Sequence, residues 1–88
     1  MAQIVLSEHA RREAARRGIA EDTVLQVAVS PGQMEPLRPG REVRQSLVGF
    51  PPDDKVYLVR VVVDLEPQLE VVVTVYRTSK IEKYWRQG

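Results

Sequence analysis

Residues 71–85 form the stretch VVVTVYRTSKIEKYW, in which a run of β-branched residues leads into a polar cluster and then into aromatic residues. β-Branched side chains favour strands, so the first half predicts a strand that ends near Tyr76. Residues 79–82 (SKIE) match the capping pattern of a helix N-terminus, which predicts a short terminal helix that packs back on the sheet. The polar cluster therefore lies where a strand meets a loop, and binding or catalytic groups often occupy such places.

Two further strands are predicted before this one. Residues 41–50 and 55–64 are rich in Val with partial alternation, and short loops separate the three strands. Loops this short predict an antiparallel meander. Residues 31–40 (PGQMEPLRPG) hold three prolines and two glycines, which predicts a connector without regular structure.

The N-terminal third predicts one short strand and two helices. Residues 3–6 suit the strand, Ser7 can cap a helix over residues 8–17, and Gly18 can end that helix. A second helix is predicted over residues 21–29. The whole chain of 88 residues is thus expected to be a single α+β domain, with two N-terminal helices packed on a small antiparallel sheet and a short C-terminal helix.

The composition excludes several classes of function. The chain has no Cys and a single His, which removes thiolate chemistry and leaves no recognisable spacing of metal ligands. No apolar run approaches the roughly 20 residues that span a bilayer, and the charge order at the N-terminus differs from that of a signal peptide. We therefore expect a cytoplasmic domain without a metal, a cofactor or a membrane attachment.

The formal net charge of +1 conceals an uneven distribution of charge. Residues 8–17 and 77–86 are basic, whereas acidic residues outnumber Lys55 and Arg60 in the part of the chain between them: Asp53, Asp54, Asp64, Glu66 and Glu70. Any anion-binding surface should therefore be built from the two terminal segments. The alternative is that these segments are solvated helix faces, because Glu and Arg at i,i+4 spacing stabilise a helix without any ligand.

The alternation of residues in the strands predicts which face of the sheet is accessible. Apolar side chains at odd positions of the last strand are expected to face the helices: Val71, Val73 and Val75. The neighbouring strand then places Arg60 on the accessible face, roughly opposite Thr74, and either Arg44 or Gln45 can join that row. Arg60 is either a phosphate ligand or a residue that keeps an open face soluble.

These residue types support the cleavage of RNA phosphodiesters without a metal, which needs a base, an acid and cations around the phosphate. The candidate catalytic residues are His9, Arg60, Tyr76 and Lys80. The candidate substrate-binding residues are Arg12, Arg16, Thr74, Arg77 and Thr78. Each has a structural alternative, since an exposed helix histidine is commonly a surface residue and Lys is common in a first helical turn.

Two segments carry a resemblance to a known family. Residues 7–19 (SEHARREAARRGI) and 71–85 together resemble a bacterial domain family of unknown function that is grouped with the RelE-like and barnase/colicin-like ribonuclease fold. The likeness spans residues 4–85 and includes His9-Ala10 near the start. It departs at Glu13, where family members often carry Arg.

The resemblance implies a RelE-like, toxin-type endoribonuclease. Its expected partners are RNA, either free or on the ribosome, and an antitoxin protein that holds it in check. The alternative is a noncatalytic module of the same fold that binds RNA, or binds a protein along an exposed strand edge.

Overall fold

The computed structural model describes residues 3–87 as a five-stranded sheet with two helices on one face. The elements are β1 (Gln3–Leu6), α1 (Glu8–Arg16), α2 (Glu21–Val29), β2 (Gln33–Arg38), β3 (Arg41–Phe50), β4 (Lys55–Leu65), β5 (Leu69–Thr78) and α3 (Ile81–Tyr84). The strand order is β1-β5-β4-β3-β2. The α+β class is thus confirmed. The purely antiparallel sheet is wrong, because β1 runs parallel to β5.

The central strand β4 supplies the middle of the core. Val59, Val61 and Val63 are fully buried and belong to one apolar cluster with residues of both helices. Ala10 and Ala14 form the buried side of α1, and their small side chains allow this helix to lie close to the sheet. The predicted alternation along β4 is therefore confirmed, with its odd positions facing the helices.

A β-bulge in β5 changes which of its side chains face the helices. The register against β4 shifts so that Val73 is the extra residue between Val72 and Thr74. An extra residue offsets the alternation of side chains by one position. Val72 and Val75 are both buried in the core, whereas Val71 pairs on the opposite face. The predicted orientation is therefore right at Val75 and wrong at Val71.

Residues 33–38 form the edge strand β2, although the sequence predicts a connector there. Pro36 has no backbone N–H to donate, and the register of β2 against β3 shifts between Pro36 and Arg38. An edge strand tolerates both features, because one of its sides forms no backbone hydrogen bonds with another strand. Pro36 therefore marks a sheet edge rather than a loop.

Helix α1 begins and ends at the predicted signals. The Oγ of Ser7 accepts a hydrogen bond from the amide of Ala10 at 3.0 Å. Gly18 follows the helix with a φ of +68°, which is the left-handed conformation that favours glycine. The predicted pair of Glu13 and Arg17 is present at 3.2 Å. Within residues 3–87, no helix has the length and apolar character needed to cross a membrane.

Helix α3 does not use the predicted capping box. Ser79 is not its N-cap, and the residue at that position, Lys80, has no capping side-chain hydrogen bond. Instead, the Oγ1 of Thr78 accepts a hydrogen bond from the amide of Lys80 at 3.0 Å, which stabilises the turn that precedes the helix. The helix is a single turn, and it is joined to β3 by a hydrogen bond from Nε2 of Gln45 to the carbonyl of Tyr84 at 3.2 Å.

Two serine variants test this difference between the helices. Ser7→Ala removes a hydrogen bond that satisfies a helix N–H, and we expect it to lower the free energy of unfolding by about 1 kcal/mol. Ser79→Ala should change it by less than about 0.5 kcal/mol. Urea denaturation of both variants measures the two values. Equal losses would contradict the assignment of the caps.

Candidate active site on the open face of the sheet

One face of the sheet is covered by α1 and α2, and we call the other the open face. The terminal segment (residues 79–87) crosses the open face from β5 towards β2. The side chain of Gln33 bonds the backbone of Arg86 twice, donating to its carbonyl at 2.7 Å and accepting from its amide at 3.1 Å. Trp85 lies so close to Gly32 that a Cβ there would come within 2.9 Å of the indole ring. Glycine at this position therefore permits the close approach.

Arg60 is at the centre of a polar cluster beneath this segment. Its Nε donates to Oε1 of Gln45 at 2.9 Å, and its Nη1 donates to the hydroxyl of Tyr76 at 2.7 Å. Its Nη2 donates to Oε1 of Glu35 at 2.6 Å. The ring centre of Tyr84 lies 4.1 Å from the guanidinium carbon. We call these five residues the open-face cluster.

The burial of Arg60 corrects the expectation that it is accessible. Arg60 is 6% exposed, because Glu35 and Tyr84 lie against its guanidinium. Glu35 belongs to β2, where the sequence predicts a connector. The sequence therefore does not predict that Glu35 buries Arg60. The residue directly opposite Arg60 is Tyr76, and Thr74 pairs with the next accessible position of β4.

The register of β3 decides which of its residues joins the row of Arg60. Gln45 pairs with Arg60, so it is the member of the row that the sequence left open. Arg44 points to the helix face, where it donates to the carbonyl of Ala28 at 2.8 Å and to Glu70 at 2.9 Å. Arg44 thus ties α2 to the sheet and takes no part in the open-face cluster.

Tyr84 supplies a titratable hydroxyl at the edge of the cluster. The pKa of this phenol lies below its usual range, chiefly because the neighbouring ammonium of Lys83 stabilises the phenolate. Partial burial acts in the opposite direction, and the hydroxyl of Tyr76 and the charge of Arg60 lower the pKa further. A phenol with a lowered pKa is better suited to proton transfer near neutral pH.

The structure does not bring His9 to this cluster. His9 and Arg12 are exposed on α1, which packs on the opposite face of the sheet from Arg60. Arg16 is also on α1, where it bonds Glu13 at 2.7 Å. Of the candidate catalytic residues, Arg60 and Tyr76 therefore lie together, whereas His9 belongs to a separate surface.

The remaining candidates divide between the two faces. Thr74 and Thr78 belong to the face of Tyr76, as their pairing with β4 shows. Lys80 is exposed at the start of the terminal segment. Arg77 points to the helix face, where its guanidinium approaches Gly18. The predicted set is thus not one site, although Tyr76 and Arg77 are adjacent in the chain.

Three members of the open-face cluster are absent from the candidate site residues that the sequence predicts: Glu35, Gln45 and Tyr84. Glu35 falls in a segment predicted as a connector, although it stands two residues from the half-buried Gln33 as strand alternation requires. The sequence indicates Gln45 only as a possible neighbour of Arg60, and Tyr84 mainly as a core residue of the terminal helix. Among residues 3–87, no group of three His, Asp or Glu side chains lies close enough to hold a metal ion.

A family model described as Domain of unknown function (DUF4258) matches residues 6–77. The chain belongs to this family. The DUF4258 match confirms the expected membership of a family of unknown function, and it includes Glu35, Gln45, Arg60 and Tyr76 but ends before Tyr84. Neither the comparison with curated proteins nor that with solved structures gave a match.

The cause of the Tyr84 pKa shift can be tested by replacing Lys83. Lys83→Met removes the ammonium that stabilises the phenolate, so the pKa of Tyr84 should rise. Lys80→Met is the matched control, because Lys80 belongs to the same segment but not to the groups that shift Tyr84. The chain has three tyrosines, so ultraviolet titration with and without Tyr84→Phe isolates the signal. Equal effects of the two lysine variants would contradict this explanation.

Proposed function

We propose that this DUF4258 domain is a RelE-like endoribonuclease of toxin type that cleaves RNA with its own side chains and without a metal. The observation that supports the proposal is the open-face cluster, which places a carboxylate, a guanidinium and a phenol of lowered pKa around one point. These are the three kinds of group that the reaction needs. The proposal assigns its action to the cytoplasm, on free or ribosome-bound RNA, with an antitoxin protein as its inhibitor.

The reaction assigns one role to each group. Glu35 takes the proton of a ribose 2′-hydroxyl, and the 2′-oxygen then forms a bond to phosphorus. The bond from phosphorus to the 5′-oxygen breaks, and the hydroxyl of Tyr84 donates its proton to that leaving oxygen. The products are a 2′,3′-cyclic phosphate and a 5′-hydroxyl. Arg60 stabilises the charge that develops on the phosphoryl oxygens.

The contact of Arg60 with Glu35 has a place in this scheme. In the free domain the carboxylate of Glu35 occupies the outer edge of the guanidinium, at 2.6 Å from Nη2. A phosphate that binds Arg60 replaces this contact, because the same donor serves both anions. Glu35 is 31% exposed and is then available to accept the 2′-hydroxyl proton. Tyr76 and Gln45 orient the guanidinium and act as positioning residues.

The second candidate is a noncatalytic module that binds RNA or a protein. It is favoured by the saturation of Arg60, whose Nε, Nη1 and Nη2 atoms are all engaged within the domain. A buried, satisfied arginine can serve structure alone. In that case the exposed cations of α1 would bind an RNA backbone, and Arg60 would hold the sheet and terminal segment together.

Cleavage of a single-stranded RNA in EDTA distinguishes the two candidates. We expect the wild type to cleave, and we expect Tyr84→Phe and Glu35→Gln each to lower the rate by about 10²- to 10⁴-fold, the usual loss for a general acid or base. His9→Ala is the matched control and should retain cleavage, because His9 lies on the other face of the sheet. Gel analysis of end-labelled RNA measures all four proteins.

Other patterns of cleavage would contradict the proposal in different ways. Loss of cleavage only in His9→Ala would move the active site to α1. Equal cleavage by all four proteins would reveal a contaminating nuclease. Binding of RNA without cleavage would favour the noncatalytic module. Growth of producing bacteria gives a parallel measure, because toxin-type activity slows growth and Tyr84→Phe should restore it.

A further inference from the structure

Arg77 is held in the corner between two aromatic rings on the helix face. Its guanidinium carbon lies 4.2 Å from the ring centre of Phe50 and 4.6 Å from that of Tyr57. The two rings meet edge to face, with centres 5.6 Å apart and planes at 87°. Stacking on aromatic faces restrains the planar guanidinium, so its orientation is set before any ligand arrives.

Arg77 has no carboxylate partner in the part of the chain that the structure describes. Every other arginine of residues 3–87 except Arg38 has a carboxylate oxygen within 4 Å. The N–H groups of a restrained, unpaired guanidinium form a fork that fits two oxygens of one phosphate. Pre-orientation lowers the entropy that binding costs.

The surroundings of Arg77 form a shallow, open cationic groove of about 510 Å³. Its lining consists of Ala15, Arg16, Arg17, Gly18, Tyr57 and Arg77. The carboxylate of Glu13 is shared between Arg16 and Arg17, so one positive charge of that trio remains unbalanced. The groove is large enough for a nucleotide-sized group, and its surplus charge is positive.

The free edge of β5 connects this groove to the open-face cluster. β1 pairs with β5 only from Leu69 to Val72, so among residues 3–87 no strand adjoins that edge beyond the bulge. Tyr76 and Arg77 follow on this part of β5 and point to opposite faces, because side chains alternate along a strand. A chain that passes over this edge can therefore contact Arg77 on one face and Tyr76 on the other.

We propose that the groove around Arg77 binds a phosphodiester of single-stranded RNA, on the opposite face of the sheet from the phosphodiester held at the open-face cluster. The N–H groups of the Arg77 guanidinium donate to two oxygens of the phosphate. The neighbouring arginines of α1 attract the RNA backbone electrostatically. A strand that turns around a sheet edge has to be flexible, which a single strand is and a duplex is not. The inference rests on the proposed function for the phosphate at Arg60, but binding at Arg77 does not require cleavage.

The test measures binding of a 2′-O-methyl RNA oligonucleotide, which lacks the nucleophile for the proposed cleavage. Arg77→Gln should weaken binding about tenfold, as expected for a lost charge-assisted fork, and should lower the slope of log affinity against log salt by about 0.7. Arg38→Gln is the matched control, since it removes the other unpaired arginine, which is exposed on edge strand β2. It should change affinity less than twofold. Fluorescence anisotropy of labelled RNA gives both values.

A charge-preserving variant separates loss of the fork from loss of the fold. Arg77→Lys keeps the charge but not the planar fork, so it should bind more weakly than wild type and more tightly than Arg77→Gln. Urea denaturation identifies any variant that fails to fold. Equal weakening by Arg77→Gln and Arg38→Gln would overturn the proposal, because general charge would then explain binding. Binding of duplex RNA as tight as that of the single strand would overturn it as well.

Two further measurements are needed. One distinguishes RNA from free phosphate as the ligand of the groove, and the other distinguishes this proposal from the proposed nuclease activity. Competition by inorganic phosphate as effective as that by the oligonucleotide would show a site for free phosphate and overturn the assignment to RNA. Arg77-dependent binding without cleavage of unmodified RNA would retain the groove and reject the nuclease. If cleavage depends on Tyr84 but its KM is unchanged by Arg77→Gln, the nuclease proposal stands and RNA binding in the groove is rejected.

Discussion

The buried guanidinium of Arg60 is the constraint on which the open face of the sheet depends. A charge in the interior is costly unless its hydrogen bonds are satisfied, so the residues around Arg60 have to supply acceptors. Those acceptors come from β2, β3 and β5 in the form of Glu35, Gln45 and Tyr76. The ring of Tyr84 covers the remaining side and brings the terminal segment with it. One arginine thereby unites strands that are distant in the sequence.

The stability of the fold alone does not account for this buried network. A buried ion pair contributes little to stability compared with apolar packing, whereas removal of one partner is strongly destabilising. An all-apolar open face would therefore fold as well, and the polar network needs a further reason. The proposed reaction supplies it, because an anionic substrate can replace Glu35 at the guanidinium and leave the rest of the network unchanged. The arginines of α1 and Arg77 are, in contrast, less buried than Arg60.

Local patterns in the sequence predicted the helices of the N-terminal half and the alternation along β4. They failed where long-range contacts decide the outcome. The prolines of residues 31–40 resemble a loop, and only the presence of a neighbouring β3 makes Pro36 an edge-strand residue. The bulge at Val73 lies within a run of similar residues that carries no signal for it. Burial of Arg60 follows from Glu35 and Tyr84, whose approach no local pattern records.

Nuclear magnetic resonance of the labelled domain with the 2′-O-methyl RNA is the most direct test of the proposed binding of RNA at the open-face cluster. We expect the Nε–Hε signal of Arg60 to shift as Glu35 is displaced, together with the indole signal of Trp85, the single tryptophan of the chain. Shifts confined to His9 and Arg12 on the outer side of α1, with Arg60 and Trp85 unchanged, would contradict binding at this cluster.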